Sequence, residues 1–252
     1  MSSRRTLTHD DAPAHPRRHL VYGRRRGPKL RPHSRALLDE LLPSVAYPVP
    51  RAGRIADPLA PFGRRPRRAL WLEIGFGAGE HLVAQAAAHA DVAMIGCEPY
   101  LNGVARLLSA IEAHALDNIR IHADDARALV DALPDACLGR VFMLFPDPWP
   151  KTRHHKRRLI AEPFLAQLAR TMRDGAELRL ATDQRPYCRW MLARLIGHPA
   201  FAWCARGPDD WRLRPAGWPE TRYERKALAA GRSCVYLAFR RRRRPPAAPR
   251  TA

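Results

Sequence analysis

The chain has 252 residues, with 44 lysines and arginines against 24 aspartates and glutamates, so its formal charge is +20. This length suits one large α/β domain with extensions. No apolar run is long enough to span a bilayer, and the first residues lack the apolar region of a secretory signal, so we expect neither a membrane protein nor a secreted one. The five cysteines are widely spaced, and none lies near His154 or His155, which predicts small core side chains in a reducing cytoplasm and no metal site.

The positive charge is concentrated in four segments. Residues 1–35 carry +8, residues 51–70 carry +5, residues 151–158 carry +5 and residues 240–252 carry +6, which leaves −4 for the rest of the chain. A slightly acidic body with basic arms is typical of a protein that binds a phosphate backbone. A membrane surface would also attract such arms, but the sequence shows no amphipathic basic helix to insert. We therefore expect a nucleic acid partner.

The first 68 residues precede the predicted core. Residues 1–19 are polar, with scattered arginines and prolines, and predict a disordered basic tail. Residues 20–68 predict an arm and a long loop, in which Arg35–Leu42 forms a short helix that Pro43 ends. The arm, VYGRRRGPKLRP, is expected to become ordered only against RNA or against the body of the protein.

Short apolar runs alternate with helical patterns through a core domain over 69–240. Strands are predicted near 70–74, 92–97, 118–122, 139–145 and 177–181, and helices near 79–89, 100–115, 125–131, 157–173 and 184–197. Five βα units predict a Rossmann-like, doubly wound, mostly parallel α/β sheet. The run Ser233–Phe239 has no helix after it and predicts an antiparallel strand paired with Phe201–Cys204, which makes seven strands. Residues 241–252 predict a second disordered basic tail.

Three glycines in the sequence WLEIGFGAG close the first strand and open the first core helix. Gly75, Gly77 and Gly79 let the backbone turn tightly and approach a ligand. A dinucleotide fingerprint needs its third glycine at the next position, which is Glu80. The preceding acid, Glu73, suits the ammonium of an amino-acid-bearing cofactor better than a pyrophosphate. The pattern favours S-adenosylmethionine over NAD, and the alternative is a glycine-rich turn without a ligand.

Acidic side chains follow the second and third predicted strands. Glu98 stands where a carboxylate can accept hydrogen bonds from both ribose hydroxyls of a nucleoside cofactor. After the third strand, one carboxylate can accept from the adenine amino group and another can cap the next helix. Asp125 is assigned to adenine and Asp124 to the cap, although the two could exchange these roles.

A stiff turn follows the fourth predicted strand in the sequence FPDPWPKTRHHKRR. Pro146 and Pro148 hold Asp147 in a non-helical turn at the carboxyl end of a buried strand, where open α/β sheets place their chemistry. Five positive charges come next, and with Trp149 they indicate catalysis on a polyanion. Trp149 is a candidate to stack on an extruded base, with simple packing as the alternative. For the whole segment, the alternative is a proline-rich connector with a solvated run of charges.

Five motifs occur in a distinctive order: YGRRRGPKLRP, LEIGFGAGEHL, FPDPWPKTRHHKRR, LATD at 180–183 and TRYE at 221–224. In this order they resemble the bacterial tRNA (guanine-N7)-methyltransferases, from about Leu20 to Phe239. The resemblance implies the class I S-adenosylmethionine-dependent methyltransferase fold. It also implies methyl transfer to N7 of guanine 46 in the tRNA variable loop. Nothing in the sequence distinguishes a monomer from a homodimer.

The resemblance also assigns roles to individual residues. It implies cofactor contacts at Glu73, Glu98, Asp125 and Asp147, a catalytic role for Asp147, substrate contacts at Lys151, Asp183, Thr221, Arg222, Tyr223 and Glu224, and RNA contacts at Arg153, His154, His155, Lys156, Arg157 and Arg158.

Guanine N7 carries no proton, so its alkylation needs no general base. We therefore expect Asp147 to orient the base and to stabilise charge on the purine. Asp183 and Glu224 are candidates to accept from guanine N1–H and N2–H₂. The alternatives are a helix N-cap at Asp183 and, at Glu224, a salt bridge with Arg222 or Arg225.

Three other functions fit parts of the sequence. A noncatalytic RNA-binding protein on a methyltransferase fold would not need an intact E-x-G-x-G-x-G motif or Asp147. A small-molecule methyltransferase would not need four basic segments. A nicotinamide oxidoreductase would need the third glycine of the fingerprint.

Overall fold

The computed structural model of the protein describes residue 22 and residues 24–245. The tails predicted for residues 1–19 and for residues beyond 245 lie outside the described residues. Within the described part, no helix combines the length and the apolar character needed to cross a bilayer.

Apolar runs form the strands of one central sheet, as predicted. The strands are β1 (Ala69–Ile74), β2 (Val92–Cys97), β3 (Ile119–His122), β4 (Leu138–Leu144), β5 (Met172–Thr182), β6 (Phe201–Trp203) and β7 (Val235–Arg241). Every residue of β2 is buried, as expected for a parallel strand that is covered on both faces.

The strands are ordered β3-β2-β1-β4-β5-β7-β6. β1 to β5 pair in parallel, and β7 runs antiparallel between β5 and β6. The chain therefore reverses its direction of winding between β1 and β4. Ligands of open α/β sheets bind outside the carboxyl ends of the strands at such a point. The predicted doubly wound sheet with an antiparallel C-terminal strand is confirmed.

Helices cover both faces of the sheet. They are α1 (Pro32–Glu40), α2 (Leu42–Val45), α3 (Glu80–Ala88), α4 (Leu101–His114), α5 (Ala126–Ala132), α6 (Glu162–Thr171), α7 (Arg185–Ile196), α8 (Asp209–Arg212) and α9 (Arg222–Ala229). Side chains of α5, α6 and α7 pack in one apolar cluster, and those of α1, α3, α4 and α9 pack in a second cluster on the other face. The result is the three-layer arrangement that buries a parallel sheet.

Two predicted helices differ from the structure at their ends. The helix predicted over 157–173 is wrong at its start, because Thr152–Arg157 forms a separate 3-10 helix and α6 begins only at Glu162. Pro163 lies in the first turn of α6, where its missing N–H is not needed. The prediction that Pro43 ends the preceding helix is wrong. Pro43 occupies the first turn of α2 instead.

The described residues beyond 240 are part of the body. Arg241 ends β7, is buried and donates to the carbonyl of Ala169 at 2.9 Å. Arg244 donates to the carbonyls of Arg170 and Met172 at 2.8 Å and pairs with Asp174. The prediction of a tail without structure is therefore wrong for residues 241–245, because carbonyls at the end of α6 and the start of β5 accept from these arginines.

Candidate functional site

A cavity of ≈ 490 Å³ opens at the carboxyl ends of β1 to β4. Its charged lining consists of Arg24, Glu98, Asp124, Asp125, Arg127, Asp147, Arg157 and Arg222. Its apolar and aromatic lining includes Ile74, Cys97, Met143, Leu159, Trp149, Tyr187 and Tyr223. A concave site that combines apolar walls with convergent polar groups is the usual form of a small-molecule site.

Glu98 is held by the glycine turn and by the start of α4. One carboxylate oxygen accepts from the Gly77 amide at 2.9 Å, and the other accepts from the Tyr100 amide at 3.0 Å. Each oxygen keeps a further lone pair for a ligand. Burial raises the pKa of Glu98, and the two backbone N–H groups oppose that shift. The structure therefore places Glu98 in the cavity with both oxygens oriented.

Glu73 does not line this cavity. It is 3% exposed, and its Oε2 lies 2.7 Å from Nδ1 of the buried His81 in the first turn of α3. It borders a small adjoining space of ≈ 10 Å³ instead. Gly75, Phe145 and Tyr223 border both spaces. Contact between Glu73 and a cofactor ammonium stays a prediction, since a ligand must reach past these residues.

Asp125, not Asp124, caps the helix that follows β3. Asp125 accepts from the Arg127 amide and from the Arg127 guanidinium, each at 2.8 Å. Asp124 accepts from the Asp125 amide at 2.9 Å and pairs with Arg25 at 3.2 Å. The predicted division of roles is therefore reversed for the cap, and both carboxylates line the cavity.

The Asp147 turn has an unusual backbone. Phe145 and Trp149, which flank Pro146-Asp147-Pro148, have φ angles of 52° and 41°, in the left-handed region that side chains disfavour. Desolvation by the cavity walls raises the pKa of Asp147. None of the described residues donates a hydrogen bond to its carboxylate. The turn thus presents an unpaired acid to the cavity, as the sequence predicts.

Arg158 supports this turn from behind. It is 4% exposed, and its guanidinium donates to the carbonyls of Pro148 at 2.8 Å and Trp149 at 3.3 Å. The same guanidinium lies over the rings of Tyr187 and Trp190. Because Arg158 is buried and donates to carbonyls inside the protein, we assign it to the fold, and the predicted RNA contact at this residue stays a prediction.

The other predicted RNA contacts divide between the surface and the cavity. Lys151, Arg153 and Lys156 are exposed around the 3-10 helix. The Arg157 guanidinium lies 4.9 Å from the centre of the Trp149 ring, in the cavity lining. His154 and His155 are half-buried against Trp149 and Trp190. Trp149 therefore lines the cavity and is packed between protein groups at the same time.

The predicted base-reading carboxylates, Asp183 and Glu224, do not line the cavity. Asp183 accepts from Arg232 at 2.6 Å and does not cap α7, since Gln184 holds that position. Glu224 is 4% exposed and accepts from the Tyr236 hydroxyl and from Arg214. Neither of its suggested partners, Arg222 and Arg225, is used. These contacts join distant segments, which is why the local sequence did not reveal them.

The remaining residues of the predicted substrate set lie around the start of α9. Thr221 caps this helix by accepting from the Glu224 amide. Arg222 and Tyr223 line the cavity, and their side chains are joined by a hydrogen bond of 3.2 Å. Lys151 lies outside the cavity lining and is exposed.

The arm and Tyr187 are parts of the site that sequence reasoning missed or left open. The Asn102 side chain accepts from the Gly27 amide and donates to the Pro28 carbonyl, each at 2.8 Å, and so fastens the arm to the start of α4. Arg24 and Tyr22 then line the cavity. Tyr187, in the first turn of α7, was not singled out, because an aromatic residue at a buried helix position indicates only core packing.

Residues 67–237 match a protein family described as putative methyltransferase. A tRNA (guanine-N(7)-)-methyltransferase of Rhodospirillum rubrum is 54% identical over 225 residues, which cover 88% of each chain. The enzyme of the same name from Ruegeria pomeroyi is 47% identical over 91% of this chain and 97% of its own. The solved structure of the 16S rRNA methyltransferase KamB aligns with a TM-score of 0.54 at 15% identity, over 76% of this chain and 96% of its own. This last likeness shows the fold alone.

Proposed function

The chain belongs to the tRNA (guanine-N(7)-)-methyltransferase family, and we propose that its cavity holds S-adenosylmethionine beside a guanine of tRNA. The protein is an enzyme that methylates N7 of guanine in tRNA. We assign the target to guanine 46 of the variable loop. The observation that carries the assignment of the site is the set of acids that follow β2, β3 and β4, namely Glu98, Asp125 and Asp147, around one cavity.

The residues present fit this cofactor. Glu98 offers oriented lone pairs to a ribose diol, and Asp124 and Asp125 offer acceptors to an adenine amino group. Ile74, Cys97 and Met143 supply an apolar surface for a purine. When bound, S-adenosylmethionine supplies an electrophilic methyl group on a sulfonium sulfur. Glu73 would meet its ammonium only after Tyr223 or Phe145 moves aside.

Asp147 acts without taking a proton. Guanine N7 attacks through a lone pair, so positive charge develops on the purine during transfer. The Asp147 carboxylate is exposed in the ligand-free cavity and unpaired among the described residues. A carboxylate from which a bound purine excludes water stabilises this charge more strongly than one in water does. Arg158 holds the turn in place and thereby keeps the carboxylate positioned.

The exposed cations of the 3-10 helix hold tRNA phosphates. Lys151, Arg153 and Lys156 lie directly after the Asp147 turn, so a strand bound to them passes the mouth of the cavity. Phosphate contacts of this kind fix the register of an RNA without reading its sequence.

Incubation with tRNA and methyl-labelled S-adenosylmethionine, followed by nucleoside analysis, tests the activity. We expect 7-methylguanosine from a tRNA with guanine at position 46 and none when adenosine replaces it. Asp147→Asn and Asp147→Ala should each lower kcat by about 10²–10³-fold. Nearly full activity of Asp147→Asn would contradict the electrostatic role. Labelled product from the adenosine variant would contradict the target position.

A further inference from the structure

Tyr187 carries a buried hydroxyl with no hydrogen-bond partner. The residue is 1% exposed, and among the described residues no acceptor binds its hydroxyl proton. The backbone N–H of Ile160 faces the oxygen, but an N–H only donates, so it leaves the proton unmatched. A buried polar group left in this state is unfavourable, and an acceptor on a ligand would remove that penalty. Tyr187 is one of the residues that line the cavity. Its oxygen is covered in the ligand-free protein, so a ligand supplies the acceptor only when it displaces the groups that cover this oxygen.

The position of Tyr187 points to the methyl acceptor more than to the cofactor. Glu98 and Asp125 follow β2 and β3, on one side of β1, whereas Tyr187 follows β5, on the other side of β4. Neighbouring strands are about 4.8 Å apart, so three spacings separate the ends of β2 and β5 by roughly 14 Å. Asp147, after β4, lies between the two groups. Tyr187 therefore lies on the β5 side of Asp147, away from Glu98 and Asp125.

The Tyr187 ring is held in one orientation by its contact with Arg158. Arg158 lies 5.1 Å from its centre and binds the two carbonyls of the Asp147 turn at the same time. Burial raises the pKa of Tyr187, and the Asp147 charge adds to this shift, so the hydroxyl stays protonated. It is a fixed neutral donor.

We propose that the Tyr187 hydroxyl donates a hydrogen bond to O6 of the target guanine and so turns N7 toward the methyl donor. The inference rests on the proposed function. O6 and N7 are neighbouring acceptors on the same edge of guanine, and N7 must stay free to react. Ionised carboxylates repel O6, and the two predicted base readers, Asp183 and Glu224, are used elsewhere. Adenine presents an N–H₂ donor at this position, which would leave the hydroxyl proton unmatched.

The test removes each half of the bond. Wild type and Tyr187→Phe are compared on tRNA with guanine or 2-aminopurine at the target position, because 2-aminopurine lacks O6. On guanine we expect kcat/KM of the variant to fall by roughly 3–10-fold, the value of one neutral hydrogen bond. On 2-aminopurine the two enzymes should be equal within about twofold. Equal rates on guanine, or an equal loss on both bases, would overturn the proposal.

Two further measurements separate other causes. Affinity for S-adenosylhomocysteine, measured by calorimetry, should be the same in both enzymes. A loss of affinity in Tyr187→Phe would assign the hydrogen bond to the cofactor and overturn the proposal.

The matched control is Tyr236→Phe, because the wild-type Tyr236 hydroxyl donates to Glu224 outside the cavity. It should melt at a lower temperature but show the same loss on both bases. Tyr187→Phe should melt no lower than wild type, since it removes an unpaired group. If wild type forms no 7-methylguanosine, the proposed function fails first and this inference falls with it.

Discussion

Asp147 lies in a turn whose flanking residues, Phe145 and Trp149, both have positive φ angles. Such conformations cost about 1–3 kcal/mol each and persist only where surrounding contacts impose them. Here the imposing contacts are the Arg158 hydrogen bonds to Pro148 and Trp149 and the amide of Phe145 on the carbonyl of Ala181. These contacts thus hold the two strained residues, Phe145 and Trp149, and with them the unpaired Asp147 between them.

Asp147→Asn should stabilise the ligand-free protein at neutral pH. Desolvation raises the pKa of Asp147 above its usual value of 3.8. The folded state then binds this proton more tightly than the unfolded chain, so stability is lost as the pH rises through the folded pKa. Asparagine at this position does not ionise, so Asp147→Asn does not lose stability as the pH rises. Thermal melts should show a higher Tm for the variant near pH 7 and no difference near pH 3, and equal Tm values at both pH values would contradict the desolvated carboxyl.

Arg158→Met should destabilise the fold, unlike the same change at the exposed Arg153 in the same basic segment. Arg158 is buried and makes charge-assisted bonds, and each such bond contributes about 1.5–3 kcal/mol. Urea denaturation should show a loss of roughly 2 kcal/mol or more in the free energy of unfolding for Arg158→Met. Arg153→Met, at an exposed position, should change it by less than about 0.5 kcal/mol. Similar values for the two variants would contradict the internal role of Arg158.

At the scale of elements, the glycine turn and α4 meet backbone to backbone. A Cβ on Gly103 would lie 2.1 Å from the carbonyl oxygen of Gly77. Gly77 has a φ of 60° and donates the amide that orients Glu98. The close approach of α4 therefore determines where the cofactor acid lies.

Gly103→Ala should weaken cofactor binding although it favours the helix. Alanine gains about 1 kcal/mol of helix propensity, but its Cβ must displace the Gly77 backbone. Losing the bond from Gly77 to Glu98 should weaken S-adenosylhomocysteine binding by roughly tenfold. Calorimetry measures this, with Gly207→Ala as the control, since nothing lies within 4 Å of a Cβ there. Unchanged affinity in Gly103→Ala would contradict the coupling.

At the scale of the whole molecule, the sheet places a cavity of mixed charge beside a positive surface. Four acids at the strand ends and four arginines line the cavity, while the exposed Lys151, Arg153 and Lys156 carry only positive charge. We therefore expect the anionic RNA backbone to be attracted to this exposed surface rather than to the cavity.

Neutralising this surface should change the salt dependence of tRNA binding. Each phosphate contact contributes about 0.7–0.9 to the slope of log K against log salt. The double variant Arg153→Met/Lys156→Met should therefore reduce the slope by roughly 1.5, measured by filter binding. Arg106→Met/Arg189→Met removes two exposed charges outside the four basic segments and should leave the slope nearly unchanged. Equal slopes for wild type and the first variant would refute the phosphate contacts.

Much of the fold and part of the site follow from local sequence. The strand and helix alternation, the glycine turn and the acids at strand ends are local patterns, because strand period, turn chemistry and chain order determine them. Glu98, Asp125 and Asp147 therefore line one cavity, as expected of acids that follow neighbouring βα units. The antiparallel β7 beside β5 followed from the absence of a helix after its apolar run.

Only the tertiary structure decided which charged side chains face the site and which hold the fold. Arg157 and Arg158 are adjacent and chemically identical, yet Arg157 lines the cavity and Arg158 binds carbonyls inside the protein. Asp183 and Glu224 are taken up by Arg232, Arg214 and Tyr236. Such outcomes depend on partners far away in the chain, and no local pattern contains them. Sequence alone indicated that Glu98, Asp125 and Asp147 share one site, because they follow strands whose order it encodes. Packing determined which of the described charged side chains bind partners inside the protein.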